Sequence, residues 1–384
     1  MPEDRQKNAN FHTSDSTSHS GVDTTPLKPR KIVLIAAAFA GIVVVALGIV
    51  ALTNFITSPF VYSQDALDEI ATALENDRNY AIYDPNIEWR GLRRAHVNRL
   101  SEAPDVIAFG GSRWQEANGD LFPNQAFVNA HVHSDYAEDM LAISELLVRN
   151  DVAPKLLILS LRYVTFEPIA DRTHEGWKNL IPEYRAMASR LGVDDEYGWF
   201  ETAPLSKWNS LFSVGDMMRR LERSWSTVGA TGPTDADVLP DRDIVLSDGS
   251  LRWSEEHAAL YTPSYARADA MKRAERNRDR ALDVDLRLVT AFEKLLAFWR
   301  DRDVRVVLAQ TPFHPAFYDA MRGRQFGDRL DWVEDLARRF STDYGVQVIG
   351  SFDAKRVGCP EDEFIDWHHG TPACLQRVID QMDE

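Results

Sequence analysis

From Asp105 onward the chain alternates short apolar runs with amphipathic stretches: Val106-Ile107-Ala108-Phe109, then Phe127-Val128-Asn129-Ala130, a helical pattern from Tyr136 to Asn150, and Leu156 to Leu161. A strand buried on both faces reads as a continuous apolar run, the habit of parallel sheets covered by helices on either side. The alternation resumes with a helical pattern from Leu286 to Arg300, a run from Val304 to Ala309, a helix around Trp332 to Phe340 and a run from Val346 to Ile349. Residues 105–384 therefore predict one doubly wound, three-layer α/β domain with a mainly parallel sheet. Residues of about 167–280 interrupt the pattern and are punctuated by Pro168, Pro182, Pro204, Gly229, Gly232, Pro233 and Pro240, which predicts an insertion, read as helical. It holds Trp177, Trp199, Trp208, Trp225 and Trp253. Their rings suit stacking on sugars or the core of a subdomain, and the sequence leaves both open.

Before this domain, Ile32 to Ile56 is almost continuously apolar, broken by Thr53 and Asn54. As a helix rising about 1.5 Å per residue it spans roughly 35 Å, enough for a hydrocarbon core of about 30 Å. Lys28, Arg30 and Lys31 precede it and Asp65, Asp68 and Glu69 follow. The expected topology is thus a disordered cytoplasmic tail over 1–31, a transmembrane anchor over 32–56, a helical stalk or connecting segment over 57–104, and an extracytoplasmic domain. A cleaved signal peptide is the rival reading, and the apolar run exceeds its usual core of about 7–15 residues.

The formal net charge is −16, and residues 1–57 hold five Lys/Arg against four Asp/Glu, so the remainder carries −17. Nucleic-acid binding rests on neutralising phosphates, and a domain this acidic argues against it. The two cysteines, Cys359 and Cys374, bracket one loop of the exported part, and a disulfide between them is expected there in preference to two buried thiols.

Within that loop lies Asp366-Trp367-His368-His369, and after the first apolar run of the domain lies Gly110-Gly111-Ser112. Residues just after parallel strands stand at the ligand-binding edge of such sheets, and paired glycines let the backbone turn sharply. Ser112 reads either as a nucleophile or as the N-cap of the next helix. Asp366 with His369, or His368 as a competing base, supplies the carboxylate and imidazole of a serine triad, which is defined by geometry and not by closeness in sequence. His131, His133, His368 and His369 also have spacings that metals accept, a weaker reading because adjacent histidines point in different directions. Neither a metal nor a cofactor is expected.

Ile107-Ala108-Phe109-Gly110-Gly111-Ser112 resembles the first block of the SGNH (GDSL-like) hydrolases. Val128-Asn129-Ala130-His131-Val132-His133-Ser134-Asp135 is similar to their second block, and Asp366-Trp367-His368-His369 to their Asp-x-x-His block. Pro312-Phe313-His314-Pro315 resembles a segment of the membrane-anchored members related to alginate O-acetylation and D-alanine transfer proteins. The resemblance covers roughly residues 105–166 and 284–380. It implies a flavodoxin-like sandwich, Ser112 as nucleophile, His369 as base, Asp366 as its orienting carboxylate, and an oxyanion hole from Ser112, Ser134 and Arg162. Ser134 stands where the family has Gly, and Leu159-Ser160-Leu161-Arg162-Tyr163-Val164 lacks the third-block Asn, so Arg162 or Tyr163 is the expected substitute donor. The implied function is a serine esterase or O-acyltransferase acting on acyl esters of cell-envelope polysaccharide or a lipid-linked glycan, with a membrane acyltransferase as a partner. The alternative is a non-catalytic envelope protein that keeps the fold to bind glycan or that partner.

Overall fold

In the computed structural model, residues 29–56, 64–82, 87–168, 179–193, 231–278, 280 and 283–382 are described. Their strands are β1 (Asn79–Ile82), β2 (Val106–Phe109), β3 (Phe127–Asn129), β4 (Leu156–Ser160), β5 (Gly232–Thr234), β6 (Asp243–Val245), β7 (Leu251–Arg252), β8 (Arg305–Gln310) and β9 (Gln347–Gly350). Five of them form a parallel sheet in the order β3-β2-β4-β8-β9. All four residues of β2 are buried, as two-sided burial of a central strand requires.

Helices follow from periodicity and caps. Leu286–Arg300 opens with the Asp285 side chain accepting from the Arg287 N–H, and buries Leu288, Phe292, Leu295, Leu296 and Trp299 along one stripe. Gln325–Tyr344, longer at its start than the sequence pattern suggested, ends where Gly345 turns left-handed at φ 69°. Ala137–Arg149 packs beside Leu286–Arg300, and the buried Trp299 Nε1 donates to Ser144 Oγ at 3.1 Å.

Two expectations change. The insertion, read as helical, holds the helices Ile181–Arg190, Glu255–Ala259 and Pro263–Arg276 but also contributes β5, β6 and β7, which join β1 in a four-stranded antiparallel sheet of order β5-β1-β6-β7. These strands have two to four residues each and carry Gly, Pro, Asp and Arg, so no alternating apolar pattern announces them. Residues 57–104, expected as helical, likewise include β1, and the helix Trp89–Val97 within them is almost wholly buried. Of the five insertion tryptophans only Trp253 lies among the described residues. The expected anchor corresponds to a helix, Pro29–Ile56. The side chains of residues 29, 31–33, 35, 36 and 53–56 fall outside the described residues, and among the described residues no helix is long and apolar enough to cross a membrane.

The chain enters β2, crosses to β3 on one side and returns to β4 on the other, so strand order reverses beside β2. That reversal opens a crevice at the carboxyl ends of the strands, where connecting loops diverge.

Candidate active site

Ser112 lies immediately beyond β2, at this crevice, and opens a short 3-10 helix, Ser112–Trp114. Gly110 and Gly111 are required by close packing. A Cβ on Gly110 would lie 2.7 Å from Ser160 Cβ and 2.8 Å from Trp114 Cδ1, and one on Gly111 would meet Asp135 Oδ1 and stand 2.7 Å from Arg162 Nη1. The turn is tied to β3 by Asn129, whose Nδ2 donates to the carbonyls of Trp114 at 2.7 Å and Ala117 at 2.6 Å.

Across the crevice, the loop after β9 is shaped by Asp366. Its Oδ1 accepts the N–H groups of His368 at 2.8 Å and His369 at 2.9 Å, while its Oδ2 lies 2.7 Å from His369 Nδ1. One carboxylate thus folds the loop and fixes the imidazole tautomer, which explains why Asp and His must stand three residues apart. The free ring nitrogen, His369 Nε2, lies 2.9 Å from Ser112 Oγ. Ser112, His369 and Asp366 are therefore in continuous hydrogen-bond contact across 257 positions of sequence. Burial by itself would raise the Asp366 carboxyl; the His369 and His368 rings and their hydrogen bonds outweigh it and hold the group well below the usual carboxylate range. His368, the competing base, is pushed down to about 3 by burial and by His369, although its Nδ1 lies 3.4 Å from Asp366 Oδ1. It packs between Trp367, at 4.1 Å, and His369, at 3.9 Å between ring centroids.

The loop is braced twice. Cys359 and Cys374 form the expected disulfide, with Cα atoms 5.3 Å apart, and such a bond suits an oxidising compartment. Arg113, next to the serine, is buried and donates to the carbonyls of His368 at 2.9 Å and Pro312 at 2.5 Å, and to that of Thr311. Its guanidinium lies 4.3 Å from the Phe313 ring centroid. Burial, with Arg162 nearby, lowers it to about 9. Arg113 thus couples the serine turn, the Pro312-Phe313-His314-Pro315 segment and the histidine loop through backbone acceptors, a role that no spacing in the sequence signals. In that segment the His314 N–H donates to the Trp367 carbonyl at 3.1 Å, and its Nδ1 accepts from the Ala316 N–H.

Ser134 sits at φ 55°, in the left-handed region that favours glycine. Its carbonyl accepts from Arg90 Nη2 at 3.0 Å, and Arg90 is held by the buried Asp139 at 2.7 Å. Beside it Asp135 and Arg162 form a fully buried ion pair, Oδ1 to Nη1 at 2.5 Å. Burial works against the Arg162 charge, but Asp135 outweighs it and raises the pKa from its ordinary value. Tyr163 packs its ring on Phe326 and Phe313.

The antiparallel sheet supports these loops. The Asn129 N–H donates to the Asp248 carbonyl at 2.7 Å, and the Leu251 N–H to the Gln115 carbonyl at 2.6 Å. Arg93 donates to the carbonyls of His131 and Gly249. Asp366, His368 and His369 hold donor atoms within 4.8 Å of one another, but both His369 nitrogens already contact Ser112 and Asp366. His131 and His133 do not join that group. Comparison of the chain with family models, with curated proteins and with solved structures finds no match.

Proposed function

We propose that the chain is a membrane-anchored, extracytoplasmic serine esterase or O-acyltransferase of SGNH type, acting on acyl esters of cell-envelope polysaccharide. The observation that carries this reading is the 2.9 Å contact between Ser112 Oγ and His369 Nε2 with Asp366 on the far ring nitrogen. The parallel-sheet order β3-β2-β4-β8-β9 agrees with the flavodoxin-like topology that the resemblance implies, and φ 55° at Ser134 agrees with its standing where the family has Gly.

In this reading Ser112 Oγ attacks the ester carbonyl while His369 Nε2 takes its proton. Asp366 stabilises the resulting imidazolium. The tetrahedral oxyanion is met by the Ser112 N–H, which as the first of a helical turn has no intrahelical acceptor, by the Ser134 N–H, and by Arg162. Collapse expels the alcohol, which takes the proton from His369 and leaves an acyl-serine. Water, or a sugar hydroxyl, then gives its proton to His369 and attacks that acyl group; the second tetrahedral adduct collapses, and Ser112 Oγ leaves with the proton returned by His369.

The outward placement is supported by the disulfide and by an apolar helix whose Leu34, Phe39, Ile42 and Val44 side chains are 68–69 % exposed, a surface suited to lipid. A second reading, a non-catalytic envelope protein that binds glycan or a partner acyltransferase, draws support from the pairing of Arg162 with Asp135, which occupies the substitute oxyanion donor. Turnover of p-nitrophenyl acetate by the full chain separates the two. The proposal expects turnover that disappears in Ser112→Ala and in His369→Ala; no turnover by the wild type, or turnover unaffected by both substitutions, refutes it.

A further inference from the structure

A pocket of about 260 Å³ is lined by Glu116, Arg252, Trp253, Tyr261, Phe364 and Thr371, among others, and Asp366 of the triad acts electrostatically on its Tyr261. Its walls come from the two segments that carry the triad, since Glu116 follows Ser112 by four positions and Thr371 follows His369 by two. The remaining wall comes from the insertion, where the Trp253 and Tyr261 ring centroids lie 5.0 Å apart. Tyr261 is held in place by a relay. Asp243 Oδ2 lies 3.0 Å from His257 Nδ1, and His257 Nε2 lies 3.3 Å from Tyr261 Oη. With Asp243 accepting from Nδ1, Nε2 is left to accept from the tyrosine hydroxyl, whose lone pairs stay available.

The charge around this pocket selects its occupant. Glu116 and Asp362 line it, Asp243 and Asp366 stand behind two of its walls, and Arg252 is the single cation among the described lining residues. Burial pushes the Glu116 carboxyl up to about 8, against Arg252 and with Asp243, so at neutral pH it is largely an uncharged hydrogen-bonding group. Burial, Tyr265 and Asp366 raise the Tyr261 phenol as well, which keeps it neutral, donating to His257 and open as an acceptor. With Glu116 uncharged, Asp362 and Arg252 balance in the lining, and the surplus negative charge that disfavours an anionic ligand comes from Asp243 and Asp366. A plain acyl chain would cover Glu116, Arg252 and Tyr261 without offering partners, which costs free energy.

We infer that the pocket binds an uncharged pyranose ring, the alcohol part of the ester, with Trp253 as a stacking wall and Glu116, Arg252 and Tyr261 as hydroxyl partners. The identity of that ring as part of an ester rests on the function proposed above; its binding does not. The pocket thereby discriminates against uronates and phosphate-bearing polymers.

The test uses full-length Ser112→Ala protein and saturation-transfer NMR with methyl β-D-glucopyranoside and methyl β-D-glucopyranosiduronate. The glucoside is expected to bind at least about 10-fold more tightly than the glucuronide, a difference of about 1.4 kcal/mol. Adding Trp253→Ala should weaken glucoside binding about 10-fold, whereas Trp253→Phe, which keeps an aromatic face and controls for folding, should lose much less. Equal affinity for the two sugars, or glucoside binding unchanged by Trp253→Ala, overturns the inference. A wild-type chain that fails to turn over p-nitrophenyl acetate removes the esterase reading, while the sugar titration still decides whether the pocket holds a neutral ring.

Discussion

Each residue of the triad is held by more than one interaction, and this sets how the site should respond to substitution. Asp366 both accepts two loop N–H groups and pins the His369 tautomer. Asp366→Asn keeps a similar shape but presents an amide where the imidazole N–H needs an acceptor, so kcat on p-nitrophenyl acetate should fall by about 10⁴-fold. A loss below about 10-fold would mean that Asp366 serves the loop alone. Ser112, Asp366 and His369 were legible in sequence because glycines after an apolar strand and an Asp-x-x-His spacing each encode local geometry. Arg113, Arg93 and Asn129 were not legible as parts of the site. They act on backbone carbonyls brought together by tertiary structure, and a carbonyl has no residue type.

The elements divide by how they are buried. β2, β4 and β8 announce themselves because nearly every side chain in them is covered on both faces. β1, β5, β6 and β7 are too short and too mixed to show a period, although their hairpin buttresses the serine turn. Gly249 shows why: at φ 86° a Cβ there would stand 2.7 Å from both the Asn129 carbonyl and Arg93 Nη1. A glycine in a turn is readable, but what it packs against is not. The loop between Cys359 and Cys374 carries Asp366 and His369, and its cross-link spans 15 positions. Replacing both cysteines by alanine should cost about 3 kcal/mol of stability on the chain-entropy model. Equilibrium denaturation measures it, and an unchanged midpoint would show that the hydrogen bonds of Arg113 suffice.

At the scale of the whole molecule, burial has trapped several imidazoles in their neutral form. His96 and His368 are pushed down to about 3 and His133 to about 4, each chiefly by burial. Their folded values lie below the ordinary value of about 6.5, so between those limits the unfolded chain binds protons that the folded chain refuses. Their contribution to stability is complete above about pH 6.5 and is lost as pH falls toward the folded values, while Glu116, raised to about 8, contributes in the opposite sense. His96→Gln removes one of these protons. Its unfolding free energy relative to wild type, from equilibrium denaturation, should therefore rise as pH is lowered from about 6.5 to about 5, with a slope approaching about 1.4 kcal/mol per pH unit. A difference independent of pH across that range would place a proton on His96 in the folded state.

The central claim is that Ser112 is a nucleophile activated by His369, and a fluorophosphonate reports on that directly because it forms a covalent adduct only with an activated serine. Wild-type chain treated with the probe, digested and sequenced by mass spectrometry should carry the phosphonyl group on Ser112, and Ser112→Ala and His369→Ala chains should carry none. Labelling elsewhere in the chain, or equal labelling of wild type and Ser112→Ala, would contradict the account.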